Sequence, residues 1–153
     1  MRDLPLIGWR EWLSLPQLGL AAIKAKIDTG ARSSALHVSS LEEFARDGAV
    51  WLRFELDSGR RRAVPVRCEA PASDRRVVTD SGGHSGERWF IRTLVGVAGD
   101  LFIAEINLTN RRNMLFPMLL GRSALRGRFG VNPDLSYTCG RPRRRRSTVG
   151  GAA

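Results

Sequence analysis

Within Ala22-Ile-Lys-Ala-Lys-Ile-Asp-Thr-Gly-Ala-Arg-Ser-Ser-Ala-Leu36, an apolar strand runs into a tight turn at Asp28-Thr29-Gly30-Ala31 and a second strand leaves it. Each residue type in that turn has a use. Asp28 supplies one carboxylate, and the short Thr29 hydroxyl can hydrogen-bond backbone across a symmetric interface. Gly30 lets the backbone approach closely or take positive φ. Two such aspartates brought into contact cannot both ionise, so they share a proton and titrate as a pair. One takes a proton from water while the other, protonated, polarises a carbonyl, which amounts to amide hydrolysis without a metal. One copy of the turn per chain implies a second subunit. Ala31 places no hydroxyl against the carboxylate, so activity nearer neutral than strongly acidic pH is expected.

A four-residue string alone reads better as an ordinary strand-to-strand turn, so the surroundings matter. Short apolar or alternating runs at Ala21 to Ile27, Val50 to Leu56, Ala63 to Cys68, Trp89 to Val97 and Leu101 to Leu108 are separated by Gly, Asp-Ser-Gly, Pro or Arg-rich turns. That pattern predicts an antiparallel all-β domain, a barrel or a sandwich. Leu41 to Asp47 is expected to form a short helical turn after Ser39-Ser40, ended by Gly48. Gly121 to Gly127 has the composition of one short C-terminal helix. The domain is expected over residues 1–139, with a basic disordered tail over 140–153. No internal repeat is visible.

Downstream of the turn stands Met118-Leu-Leu-Gly-Arg122, two apolar residues and a glycine ahead of the helix candidate. The pair of segments resembles the retropepsin-type aspartic peptidases, which carry Asp-Thr-Gly-Ala/Ser early and an apolar-apolar-Gly-Arg segment late. The resemblance implies a closed acid-protease β-barrel, with Asp28 catalytic, Thr29, Gly30 and Ala31 forming the active-site loop, and Leu119, Leu120 and Gly121 supporting it from beneath. It extends to Ile7-Gly-Trp-Arg-Glu-Trp-Leu-Ser-Leu-Pro-Gln-Leu-Gly19, Ser34-Ala-Leu-His37, Asp80-Ser-Gly-Gly83, Asn110-Arg-Arg-Asn-Met114 and Phe116-Pro-Met-Leu-Leu-Gly-Arg122, over roughly residues 6 to 138. Those segments are similar to a bacterial and archaeal family of small retropepsin-like proteins. Some of its members carry the label ATP-dependent zinc protease, and the family is associated with ATP-grasp ligases that add glutamates to proteins. One departure is Val131-Asn132-Pro133, where the family pattern has Asp before Pro; it lies far from the turn.

The zinc and ATP labels find no residues to support them. The chain has only His37 and His84, without a His-Glu-x-x-His pattern, and no Gly-x4-Gly-Lys-Ser/Thr phosphate loop. No metal and no cofactor are expected, His37 reading as a strand residue and His84 as exposed in a turn. Asp57-Ser58-Gly59, followed by three arginines, reads as a solvated hairpin turn. Asp80 lies only 41 residues before Gly121, too few for a second catalytic lobe. Residues 80 to 87, with Asp80, Ser81, Gly82 and Gly83 at their start, read either as the tip of a glycine-rich flap or as a plain surface loop. Residues 40 to 76 would then be an added hairpin.

Composition bounds the rest. At 153 residues with 42% hydrophobic content the chain is about one domain long. No apolar run approaches the roughly 18 to 20 residues that span a bilayer, and Met1-Arg-Asp-Leu-Pro5 lacks the layout of a secretion signal, so a cytoplasmic location is expected. Cys68 and Cys139 suggest neither a disulfide framework nor a thiolate metal site. Of the 25 basic residues 23 are Arg, and the net charge is +10. Five arginines, Arg141 and Arg143 to Arg146, sit in the tail, which leaves +5 on the body. Because the rest are scattered, nucleic acid is not the expected partner. Lys24 and Lys26 should lie on the face opposite Ile23, Ala25 and Ile27. Trp9, Trp12, Trp51 and Trp89 are expected in the core or a dimer interface, with no basic-aromatic interleaving. The sequence thus predicts a homodimeric aspartic endopeptidase acting on a peptide or protein, with a glutamate-modified protein tail as the substrate that the family association implies. The alternatives are a non-catalytic peptide-binding accessory of the same fold, and an RNA- or ribosome-binding module working through the basic tail.

Overall fold

A computed structural model of the chain describes residues 3–59, 64–79, 82–110 and 115–140. The chain is all-β with one short helix. Its strands are β1 (Leu6–Ile7), β2 (Arg10–Leu15), β3 (Leu20–Asp28), β4 (Ser34–Arg46), β5 (Ala49–Leu56), β6 (Val66–Pro71), β7 (Asp74–Thr79), β8 (Ser85–Val97), β9 (Asp100–Thr109), β10 (Met118–Gly121) and β11 (Gly130–Val131), with helix α1 (Arg122–Leu125) between the last two. Nine strands form one sheet in the order β10-β3-β2-β8-β9-β4-β5-β6, with β7 added on β8. Because β10 also pairs with β4, six of them close into a ring: β10, β3, β2, β8, β9, β4 and back to β10.

Alternation drives this arrangement. In β2, and in β3 from Ile23 on, every second residue is buried, and Leu13, Leu15, Ile23, Ala25, Leu36, Val38, Ile91, Val95, Ile106, Met118 and Leu120 meet inside the ring. Two-residue turns set the hairpin registers. Asp47-Gly48 joins β4 to β5 with φ of 51° and 75°, and Ala98-Gly99 joins β8 to β9 with φ of 53° and 77°. Positive φ at both central positions matches the twist of the flanking strands, and glycine makes the second position inexpensive.

The helical turn expected over Leu41 to Asp47 is instead the second half of β4. Its residues have fair helix propensity, but cross-strand partners outweigh it: Glu42 pairs with Arg53, and the Phe44 ring lies 6.4 Å from that of Trp51. A register shift between Val38 and Leu41 bends β4 out of the ring, and beyond it β4, β5 and β6 form a three-stranded antiparallel extension. The added hairpin expected over residues 40 to 76 is therefore a pair of hairpins. Of the run Ala63 to Cys68, Ala63 lies outside the described residues and β6 begins at Val66.

Buried polar side chains tie down the chain ends. Glu11, fully buried, accepts hydrogen bonds from the Gly8 N–H (2.7 Å), the Thr138 N–H (2.9 Å) and the Thr138 hydroxyl (2.8 Å), joining the start of the ring to the last described segment. Alternation with Leu13 and Leu15 puts this glutamate on the inward face of β2, but its partners are invisible along the sequence. All four tryptophans are half-buried rather than in the core, and each lies beside a cation: Arg10 at Trp9, Lys24 at Trp12, Arg46 at Trp51 and Arg75 at Trp89, at 4.3 to 5.6 Å. Three of these pairs come from different strands, so the interleaving is invisible along the sequence. Among the described residues no helix is long and apolar enough to cross a membrane.

Candidate active site

Asp28 is the last residue of β3, half-buried at the rim of the ring. Two hydrogen bonds close the turn that follows: the Gly30 N–H donates to Asp28 Oδ1 (3.1 Å) and the Ala31 N–H to the Asp28 carbonyl (3.3 Å). Gly30 does not take positive φ. A Cβ there would stand 3.4 Å from Asp28 Oδ1, an ordinary van der Waals contact, so neither φ nor close approach demands glycine at this position. Thr29 and Gly30 are exposed, and the Thr29 hydroxyl has no partner among the described residues.

The loop rests on β10, which is threaded between the two strands that the loop connects. β10 runs parallel to β3, with Leu120 beside Ile27 and Gly121 beside Asp28, and antiparallel to β4, with Met118 beside Leu36. Gly121 is required by contact: a Cβ would lie 2.5 Å from both the Ser33 carbonyl carbon and its oxygen. The Gly121 N–H donates to the buried Ser34 hydroxyl (2.9 Å), and Asn107 Nδ2 donates to the Ser34 carbonyl (2.9 Å). The N–H groups of Arg122 and Ser123, at the start of α1, donate to the carbonyls of Ala31 (2.7 Å) and Arg32 (3.1 Å). Arg122 Nη1 reaches the Thr29 carbonyl at 3.4 Å. Loop, strand and helix are thus locked as one unit. Ser34 and Asn107 are parts of it that sequence reasoning missed, because a buried hydroxyl and amide look like surface residues until their partners are known.

The three expected support residues divide between two faces. Leu120 is fully buried beneath the loop and Gly121 lies against it, whereas Leu119 is half-buried and pairs in register with the exposed Lys26. β7 and β8 form an antiparallel hairpin closed by the Thr79–Ser85 pair, whose hydroxyls are 2.7 Å apart. Gly82 and Gly83 are exposed in its connection, while Asp80 and Ser81 lie outside the described residues. Asp57-Ser58-Gly59 is not a solvated turn: Ser58 is buried and its carbonyl accepts from the Lys24 N–H (3.0 Å), docking the turn on β3. His37 sits in β4 and His84 is exposed before β8. Two cavities, of about 300 and 370 Å3, open at the β4–β5–β6 extension and at the β8–β9 turn, and neither is lined by the loop.

Cys68 and Cys139 are both free, and burial pushes the Cys68 thiol up to about 11. The departure at Asn132 keeps its geometry, since Asn132 Oδ1 accepts the Asp134 N–H (2.9 Å) as an aspartate oxygen would.

This architecture has counterparts. A family model described as RimB-like, retropepsin-like aspartic endopeptidase RimB, matches residues 6–142. The chain belongs to that family. The RimB-like chain is also 42% identical over 137 residues to a probable alpha-L-glutamate ligase of Desulfotalea psychrophila, covering 88% of this chain and 29% of that protein. A probable alpha-L-glutamate ligase of Shewanella pealeana is 39% identical over 136 residues, with 88% of this chain and 30% of that protein covered. The chain therefore spans less than a third of the length of these ligases. Among solved structures, protein Lpg0085 of Legionella pneumophila, of unknown function, superposes with a TM-score of 0.73 at 26% identity, covering 89% of this chain and 98% of that one.

Proposed function

We propose that this RimB-like chain is an aspartic endopeptidase whose catalytic centre forms when two copies pair about a two-fold axis, each contributing Asp28. The carrying observation is the placement of Asp28: a carboxylate at an open rim, on a loop braced by β10 and α1, beside a Thr29 hydroxyl left for an outside partner. Family membership supports the same reading. In the pair, one Asp28 takes a proton from a water held between the carboxylates, and the water oxygen bonds to the peptide carbonyl carbon. The partner's Asp28, protonated, gives its proton to the carbonyl oxygen. The tetrahedral diol collapses as the C–N bond breaks: the leaving nitrogen takes up the first proton, and one diol hydroxyl returns its proton to the partner's Asp28 as the new carboxyl group forms. In this reading the β7–β8 hairpin, with Gly82 and Gly83 exposed in its connection, serves as the flap over a bound peptide.

The substrate we propose is a protein tail bearing added glutamates. Relatives that contain this unit within a longer chain are named glutamate ligases, the unit covers only 29–30% of their length, and the family model it matches is described as an endopeptidase. Ligation then belongs to the remainder of those proteins, and the shared unit acts on what is made.

The test is mass spectrometry of a protein with a C-terminal run of α-linked glutamates incubated with the full chain, alongside sedimentation. Cleavage should vanish in Asp28→Asn while folding and pairing persist. Cleavage that survives Asp28→Asn, or that is carried by a chain sedimenting as a monomer in the presence of the peptide, overturns the reading. Binding without cleavage by the unaltered chain would make it a peptide-binding accessory.

A further inference from the structure

Asp28 shares its face with other charges. β3 buries Ile23, Ala25 and Ile27, so Lys24, Lys26 and Asp28 lie on the opposite side, Lys24 half-buried against the Asp57–Gly59 turn and Lys26 exposed. On one flank β2 places Arg10 directly opposite Lys26 and Trp12 opposite Lys24, and the Lys24 ammonium 5.6 Å from the Trp12 ring centre shows that these side chains share that side. On the other flank β10 places Leu119 beside Lys26 and Gly121 beside Asp28. Arg10, Lys26 and Leu119 thus form a row across three strands, one side-chain repeat, about 7 Å, from the carboxylate.

That row is costly for the fold alone. Two cations directly opposite each other in an antiparallel pair repel, and neither has an acidic partner among the described residues. Four other arginines, Arg46, Arg53, Arg75 and Arg76, do pair with a glutamate or aspartate. Arg10 is also held in place, its guanidinium 4.6 Å from the Trp9 ring centre and 4.9 Å from that of Tyr137. Among the described residues its Nε is a buried nitrogen with no hydrogen-bond partner. An oriented guanidinium next to an uncompensated ammonium is complementary to a carboxylate, which a planar donor fork binds through two hydrogen bonds.

We propose that Arg10 and Lys26 form a specificity subsite that binds the side-chain carboxylate of a glutamate flanking the scissile bond, with Leu119 against its methylene stem. This rests on the peptidase reading above and adds the residues that select the substrate. Two-fold symmetry puts one such subsite on each side of the Asp28 pair, so the favoured bond joins two glutamates.

The experiment measures binding to the full chain carrying Asp28→Asn, by fluorescence anisotropy, of labelled α-linked oligoglutamate and of oligoglutamine of equal length. Cleavage of both peptides by the unaltered chain is followed in parallel. The glutamate peptide should bind at least about tenfold more tightly, and Lys26→Gln or Arg10→Gln should each reduce that preference by about tenfold. Lys26→Glu should shift it toward a lysine-bearing peptide. Arg67→Gln, on the exposed face of β6, should leave it unchanged. Should Arg10→Gln fail to fold, the two Lys26 variants, at an exposed position, carry the test. A preference untouched by Lys26→Gln, or lowered as much by Arg67→Gln, overturns the subsite in favour of diffuse charge attraction. Equal cleavage of both peptides also overturns the subsite but leaves the peptidase standing. Binding that depends on Arg10 and Lys26 without any cleavage does the reverse.

Discussion

Substituting Gly121 by Ala tests whether the loop and β10 are wedged together as tightly as the geometry requires. The added methyl would stand 2.5 Å from the carbon and oxygen of the Ser33 carbonyl and 3.0 Å from the Ala31 oxygen. Ordinary carbon–oxygen contacts are longer by a large part of an ångström, and here all three obstacles are backbone. Ser33 cannot retreat easily, because the next residue, Ser34, is fully buried with its hydroxyl bonded to the Gly121 N–H and its carbonyl to Asn107. β10 cannot retreat either without parting from β3 or β4. We expect a loss of about 2–4 kcal/mol, at the upper end of overpacking costs. For a domain of this size that is a fall in Tm of roughly 5–15 °C. The control is Gly86→Ala in β8, where an added Cβ meets nothing within 4 Å; a change within about 0.5 kcal/mol is expected. Urea and thermal unfolding followed by circular dichroism, at one fixed protein concentration, make the comparison. A Gly121→Ala chain melting within about 2 °C of the parent refutes the wedge and, with it, the claim that β10 fixes the position of Asp28.

Four further outcomes follow from other parts of the structure. Glu11→Ala strips the acceptor from the Gly8 and Thr138 donors and should cost about 3 kcal/mol in urea unfolding; a loss below about 1 kcal/mol refutes a structural role for that carboxylate. In native protein at pH 8 a thiol reagent should titrate exposed Cys139 at once and buried Cys68, its thiol pushed up to about 11, only on unfolding. Hydrogen bonds from Arg46 and then Arg53 hold Glu69 below its ordinary value of 4.5, so its contribution is present above that pH and is lost as the pH falls below it. Unfolding curves across that window should show a smaller acid-side loss for Arg46→Gln than for the parent, and the effect is small because the pair is exposed. Asn132→Asp keeps the oxygen that accepts the Asp134 N–H and should change stability by less than about 0.5 kcal/mol.

Much of this site could be read along the chain because its logic is local. The apolar run into Asp28, the Thr-Gly after it and the Leu-Leu-Gly segment are all contiguous, and alternation gives the faces of β3 directly. Where the reading failed, the deciding interaction joined distant positions. Leu41 to Arg46 has helix-compatible residues, and only the partner strand makes it β; yet the Asp47-Gly48 dipeptide is itself a strong hairpin signal and could have corrected the assignment. β7, with five of its six residues exposed, has no apolar face to announce it and exists because β8 offers an edge. Glu11, Ser34 and Asn107 are polar types buried against partners from 3 to 127 positions away. The division of Leu119 from Leu120 was legible in principle: adjacent strand residues face opposite ways, so one sequence pair cannot serve a single surface.

In the dimer we propose, the electrostatics of the site and its assembly are one problem. Bringing two open faces together places two Arg10–Lys26 pairs around two carboxylates that share a proton, an excess of positive charge in a cleft that excludes water. Apolar contact at the rim must work against that repulsion in the empty pair. An acidic peptide lying across the two-fold axis supplies the missing negative charge to both halves at once, so it binds the paired state better than the separate chains and pulls the equilibrium toward pairing by that difference. The cations that select the substrate therefore also make the complete catalytic centre depend on it, and a neutral peptide of the same length lacks the charge to assemble the site that would cut it.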